Sequence, residues 1–285
     1  MARFLHTRGW VEGENLVTER AFADFRADRL PGLARQLLAN GAEILYASGL
    51  DATLAAARAT TSVPIVFNSV VWPLEHGLID AYARPGRNAT GVSEFVGPET
   101  SQKRAELMRE LAPDARRMGW LWGISETVAG GRFDSPSMMR AAAATVGFES
   151  RFFEVLSPED VDAALAAALE WRVQVLQAGS GYVSLKRHAI ADFCLRHRLP
   201  CATASVRLVE TTGVLFRYGT AAAEFDALSL RTFDMVDRIL RGAKPAEIPV
   251  ELPTRTEFVL NIKTARAIGV TVTPAVRLRA DRVID

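Results

Sequence analysis

Short apolar runs recur along this chain, most of them followed by a helical pattern, and they constrain the fold more than any single motif does. "AEILYAS" (42–48), "VPIVFNS" (63–69), "RRMGWLWG" (116–123), "RVQVLQAGSG" (172–181) and "LPCATAS" (199–205) are nearly continuous in apolar character instead of alternating. A strand that is apolar on both faces must be covered on both, and strands alternating with helices form parallel sheets. The intervening helical patterns run through "RLPGLARQLLANG", "DATLAAARATT", "LEHGLIDAYA", "SQKRAELMRELAPD", "SPSMMRAAAATVG", "SPEDVDAALAAALEW" and "LKRHAIADFCLRHR". In the first of these Leu30, Leu33, Leu37 and Leu38 share a face and Gly41 stops the helix. Ser48 or Asp51 is the expected N-cap of the second. "LVTERAFA" (16–23) and "FESRFFEV" (148–155) are expected as further strands.

A chain of 285 residues with this pattern suits an α/β protein of two doubly wound, Rossmann-like lobes with sheets of similar size. Lobe 1 is expected over residues 1–94, with a return around 220–248. Lobe 2 is expected over 95–219, with part of the tail 249–285. "YARPGRNATGVS" (82–93) reads as a helix stop followed by an interlobe crossover. Pro85 and Gly86 end the helix, Gly86 takes the positive φ of a tight reversal, and "NATGVSEF" leaves as a strand. Arg84 and Arg87 in this stretch are expected at the surface.

Several function classes are disfavoured. A formal charge of +1 gives no electrostatic reason to expect nucleic acid or an anionic membrane as partner. No apolar run approaches the roughly 20 residues that span a bilayer. Cys194 and Cys201 form no CxxC pair, and with only His6, His76, His188 and His197 beside them no structural metal is expected; both cysteines read as buried small hydrophobes. No G-x-G-x-x-G or Walker loop supports nucleotide binding, so no cofactor is expected. Gly179-Ser180-Gly181 lacks the spacing of a nucleophile elbow, and a hydrolase is the most distant reading. "MARFLHTRGWVEGENL" opens as the second half of an amphipathic helix without a signal-peptide pattern ahead of it.

Six segments in order carry a resemblance: "GWVEGENLVTE", "RLPGLARQLL", "ATLAAARATTSVPIVF", "GLIDAYARPGRNATGVS", "KRAELMRELAPDARRMGWL" and "RILRGAKPAEIPVELPTRTEFVLNIKTARAIGVTVTPAVRLRADRVID". Together they resemble the ABC-transporter substrate-binding protein family that includes the tryptophan- and tyrosine-type binding proteins of bacteria, over essentially the whole chain. The resemblance implies a type I periplasmic-binding-protein fold, two lobes joined by crossover strands and closing on a small molecule. It implies a periplasmic receptor, expected to be monomeric, that delivers a small-molecule ligand to an ABC permease in the membrane. Members carry a strand and a helix start ahead of the "GWVEGENL" equivalent, so the first strand is expected to be missing here. A ligand-sensing domain of a regulatory system is the alternative, and it would need an attached signalling or DNA-binding module.

In doubly wound sheets, ligands gather beyond the carboxyl ends of the strands, where helix N-termini present free N–H groups. In lobe 1, Ser48 and Gly49, with the N–H groups of Asp51 and Ala52, form a candidate carboxylate cradle or a plain capped turn. Asn68, Ser69 and Trp72 follow the next strand, and Ser93 ends the one after. Members of the resembled family commonly have Asp-Pro where this chain has Trp72-Pro73, so Trp72 can cover an aromatic or apolar ligand or simply pack. In lobe 2 the candidates are Trp122 and Ser125, then Gly179, Ser180 and Tyr182, then Thr203 and Ser205. Asp51, Glu94 and Glu126 are candidate partners for a ligand cation or solvated caps.

Overall fold

A computed structural model describes residues 1–24, 26–94, 99–123, 135–179, 182–210 and 213–285. The chain separates into two compact units. Among the described residues, unit 1 takes those within 1–94 and 223–253, and unit 2 takes those within 99–123, 135–222 and 254–285.

Unit 1 is built on a parallel sheet of three strands, β1 (Leu45–Ser48), β2 (Ile65–Val70) and β3 (Ala89–Ser93), in that spatial order. Ile65, Val66 and Phe67 are fully buried, as their unbroken apolar run requires. Val66 and Val92 pack with Leu228, Met235, Val236 and Ile239 of the long helix Ala222–Leu240 and with Leu5 near the N-terminus. Helices Leu30–Ala39 and Leu50–Ala59 pack against one another. Thr90 fastens β3 to the returning segment by donating its hydroxyl to the Ile248 carbonyl at 2.7 Å.

Among the described residues unit 2 carries seven strands: β4 (Arg117–Trp122), β5 (Glu149–Glu154), β6 (Val175–Ala178), β7 (Cys201–Thr203), β8 (Phe216–Thr220), β9 (Thr256–Asn261) and β10 (Arg282–Ile284). Their spatial order is β10-β9-β8-β7-β6-β4-β5, with β8–β9 antiparallel and the other neighbours parallel. One face of this sheet buries Leu121, Phe153 and Leu176 against Val161, Leu165, Ile190 and Phe193 from the helices Asp160–Glu170 and Arg187–His197. Cys194 and Cys201 are free and buried in the same core, and the hydrogen bond between their side chains raises the Cys194 thiol above its ordinary range.

Four expectations are corrected. The sheets are unequal, because β8, β9 and β10 all join the second, while residues 16–23 join neither. "LVTERAFA" is not a strand. Leu16 makes an isolated bridge to Glu12, and Val17 and Phe22 are 88% and 70% exposed, so no face of the segment is buried. "LEHGLIDAYA" is a chain of turns, not a helix. Trp72 and Gly77 sit at φ 49° and 69°, left-handed values that no α-helix continues through. Finally, neither Ser48 nor Asp51 caps helix Leu50–Ala59: Gly49 is the N-cap, at φ 84° and with no side chain to bond the first turn. Gly86 does take the expected positive φ, 73°.

Candidate functional site

In unit 1 the carboxyl ends of the three strands bring Ser48, Asn68 and Ser93 to one edge of the sheet. Ser48 and Asn68 are register partners, and the Gly49 N–H extends that ladder to the Asn68 carbonyl at 2.8 Å. The β2–β3 pairing then slips. Phe67 opposes Gly91 and Val70 opposes Ser93, so three steps on β2 match two on β3. This is a β-bulge at Asn68 and Ser69, a device that re-aims side chains and is common beside functional sites. Ser69 adopts φ 61° and Trp72 φ 49°, left-handed conformations that cost energy for any residue with a Cβ.

The polar groups here are acceptors. The Oδ1 atoms of Asp51 and Asn68 are buried and receive no hydrogen bond. Burial pushes the Asp51 carboxyl up to about 6. Glu94, immediately after β3, is also raised, again by burial first, with a Ser69 hydrogen bond acting the other way. Two carboxylates and an orphan carbonyl favour a donor or a cation. The anion cradle read from the Asp51 and Ala52 N–H groups therefore shares its helix end with a carboxylate, since Asp51 lies in the first turn of helix Leu50–Ala59. Trp72 is 3% exposed and packs within unit 1.

In unit 2 the carboxyl ends of β4, β6 and β7 place Trp122, Ala178 and Thr203 along one edge. Thr203 is fully buried; its hydroxyl donates to the Ala178 carbonyl at 2.9 Å and accepts the Ser205 N–H at 3.0 Å, which makes it a brace for the strand ends. Gly179 crosses so close to β4 that a Cβ on it would lie 2.9 Å from the Leu121 carbonyl oxygen. Ser125, Glu126, Ser180 and the side chain of Tyr182 lie outside the described residues. Beside Trp122, the structure adds two residues that the strand-end argument passed over, Trp120 and Gln177. Their side-chain nitrogens are buried without an acceptor, as is that of Trp122. Period-2 counting back from Trp122 would have found Trp120. Among the described residues no three His, Cys, Asp or Glu side chains gather as a metal site requires, and no helix is long and apolar enough to cross a membrane.

A parallel three-stranded sheet in one unit and a mostly parallel seven-stranded sheet in the other are the architecture of the type I periplasmic-binding-protein fold, and solved structures share it. A conserved domain protein from Vibrio cholerae O1 biovar El Tor matches with a TM-score of 0.84 at 24% identity, over 99% of this chain and 92% of that one. An ABC domain from Streptococcus pneumoniae in complex with L-Trp matches with a TM-score of 0.82 at 22% identity, over the same shares. The tyrosine-binding protein of Clostridioides difficile (strain R20291) is 22% identical over 264 residues, 93% of this chain and 74% of that protein. The family described as ABC transporter substrate binding protein matches residues 4–284, and this chain belongs to it.

Proposed function

We propose that this chain is the solute receptor of an ABC importer, and that it captures a small amino-acid-like molecule or aromatic acid by closing its two units on it. The observation that carries the reading is the family match over residues 4–284, in a chain whose strand ends hold buried polar atoms without partners in both units. Buried polar groups are almost always paired, so orphans at the ligand-binding edge of this fold mark groups that a solute completes. The ligand class follows two relatives whose names specify tyrosine and L-Trp.

In unit 1 the contacts are assigned to Ser48, Gly49, Asp51, Ala52, Asn68, Ser69, Trp72 and Ser93. In unit 2 they are assigned to Trp122, Ser125, Ser180, Tyr182, Thr203 and Ser205. Closure is driven by the solute's higher affinity for the closed form and requires no chemical change in the solute. The working location is the periplasm, the active form is a monomer, and the partner is a membrane permease.

A thermal-shift screen over amino acids, aromatic acids and nucleobases tests this. A true ligand at a hundredfold its Kd adds about 2.7 kcal/mol of stability. A well-folded protein whose melting temperature none of these solutes moves would overturn the receptor role.

A further inference from the structure

Besides the Ser150 hydroxyl on β5, the unmatched side-chain atoms of unit 2 are nitrogens, unlike the Oδ1 atoms of Asp51 and Asn68 in unit 1. Trp120 and Gln177 are register partners on β4 and β6, and Trp122 follows two residues along β4 on the same face of the sheet. Trp120, Trp122 and Gln177 are 4%, 7% and 2% exposed. The two indole nitrogens and the Gln177 amide nitrogen are buried and have no acceptor among the described residues. An indole N–H can only donate, and an amide NH₂ likewise.

These donors are also held in place. Phe152, the partner of Trp120 on β5, stacks on its ring at 5.5 Å and an interplanar angle of 2°, and meets the Trp122 ring edge-on at 5.8 Å. The indoles therefore cannot swing to seek acceptors elsewhere without unpacking the face. The guanidinium of Arg140 lies over the Phe152 ring at 4.9 Å and adds positive charge to the cluster. Two fixed indole donors and the Gln177 amide outnumber the two lone pairs of one carbonyl oxygen and suit a group with two oxygens.

We propose that Trp120, Trp122 and Gln177 form an oxyanion subsite that receives the carboxylate of the solute. The assignment rests on the receptor reading and deepens it, since it names which group of the solute unit 2 recognises.

The test is calorimetric titration with six probes: L-tryptophan and L-tyrosine, the decarboxylated tryptamine and tyramine, and the deaminated indole-3-propionate and 3-(4-hydroxyphenyl)propionate. At least one carboxylate is expected to bind, with its decarboxylated counterpart at least tenfold weaker. Trp122→Phe and Gln177→Leu should each cost the acid roughly tenfold in affinity, the size of a hydrogen bond to a charged group. In ¹⁵N spectra the indole N–H resonance of Trp122 should move on adding the acid. Gln177→Leu should leave the melting temperature of the unliganded protein unchanged or higher, because it deletes a buried donor that nothing matches. Equal binding of acid and amine, or full acid affinity in the double variant, overturns the subsite and leaves the receptor reading intact. A marked fall in the unliganded melting temperature of Gln177→Leu also overturns it, by making the amide structural. If none of the six probes binds, the assigned solute class is what falls, and the subsite falls with it.

Discussion

Trp10 donates its indole N–H to the carboxylate of Asp237 at 2.8 Å, joining two segments of unit 1 that lie 227 positions apart. The Asp237 side chain is only 7% exposed and also meets Arg241 at 3.0 Å and Arg8 at 3.4 Å. This explains physically why "GWVEGENL" and "RILRGAKP" occur together in the chain: each holds part of one hydrogen-bonded cluster. Asp237→Ala strips three donors of their acceptor and should cost about 3 kcal/mol, while Asp237→Asn, which keeps one acceptor oxygen, should cost less. Thermal unfolding of the two variants beside the parent measures both. Equal, negligible shifts would show that the cluster contributes nothing.

Gly91 on β3 has the tightest approach of any described glycine. A Cβ built there would lie 2.0 Å from the Phe67 carbonyl oxygen, at the step where the bulge in β2 begins. A backbone oxygen cannot retreat as a flexible side chain would. Gly91→Ala should therefore destabilise unit 1 by roughly 3 kcal/mol or more, beyond the ordinary range of surface changes. Gly242→Ala is the control, since it too has a positive φ, 93° against 156° at Gly91, but nothing within 4 Å of the added atom. Its cost should be conformational only, about 1 kcal/mol.

Most of the architecture was legible because burial on both faces of a strand leaves a mark in composition. The runs around Val66, Leu121 and Leu176 could hardly be anything but interior strands of a parallel sheet, and helices such as 99–111 and 160–170 follow the expected apolar spacing. The failures share a cause. Residues 16–23 contain Leu16, Val17, Ala21 and Phe22 and so resemble a strand, but a strand needs a neighbouring ladder, and ladders are decided by distant chain. Residues 74–83 have helical apolar content, yet the left-handed turns at Trp72 and Gly77 override it. At the candidate site, strand ends were legible and side-chain satisfaction was not. Ser48 and Thr203 are candidates by their place at strand ends, whereas the unmatched groups at 120 and 177 sit within apolar-looking strands.

Arg217 and Glu257 form an ion pair at 2.9 Å on the antiparallel strands β8 and β9, and the Arg217 side chain is 1% exposed. The guanidinium also donates to the carbonyls of Ala204 and Thr220. A second buried guanidinium stands close by. Arg104 donates to the Tyr218 carbonyl and the Ser101 hydroxyl, and burial together with repulsion from Arg217 lowers it to about 10. Glu257 is thus the counter-ion of Arg217, a cation crowded by Arg104. Glu257→Ala should cost about 3 kcal/mol, since removing one partner of a buried pair leaves an uncompensated charge. Adding Arg104→Met to that variant should recover part of the loss by removing the second charge, which a double-mutant cycle on melting temperatures will show. A cycle with no coupling would separate the two arginines electrostatically.

Asp51 makes the last expectation pH-dependent. Burial holds its carboxyl at about 6 in the folded protein, against an ordinary value of 3.8. A raised folded value means the unfolded chain ionises first as pH increases, so Asp51 costs stability progressively from about pH 4 to about pH 6 and by a constant amount above that. The shift corresponds to about 2 kcal/mol at neutral pH after allowance for partial solvent access. Asp51→Asn removes the titration; relative to the parent it should gain stability across that window and then stay level. If the proposed solute places its ammonium beside this carboxylate, the bound form keeps Asp51 ionised. Binding near pH 6 should then release a proton, visible as calorimetric heats that differ between buffers of unlike ionisation enthalpy. The variant should show neither the proton release nor full affinity. Parallel pH profiles for Asp51→Asn and the parent would place the carboxylate in solvent and remove it from the site.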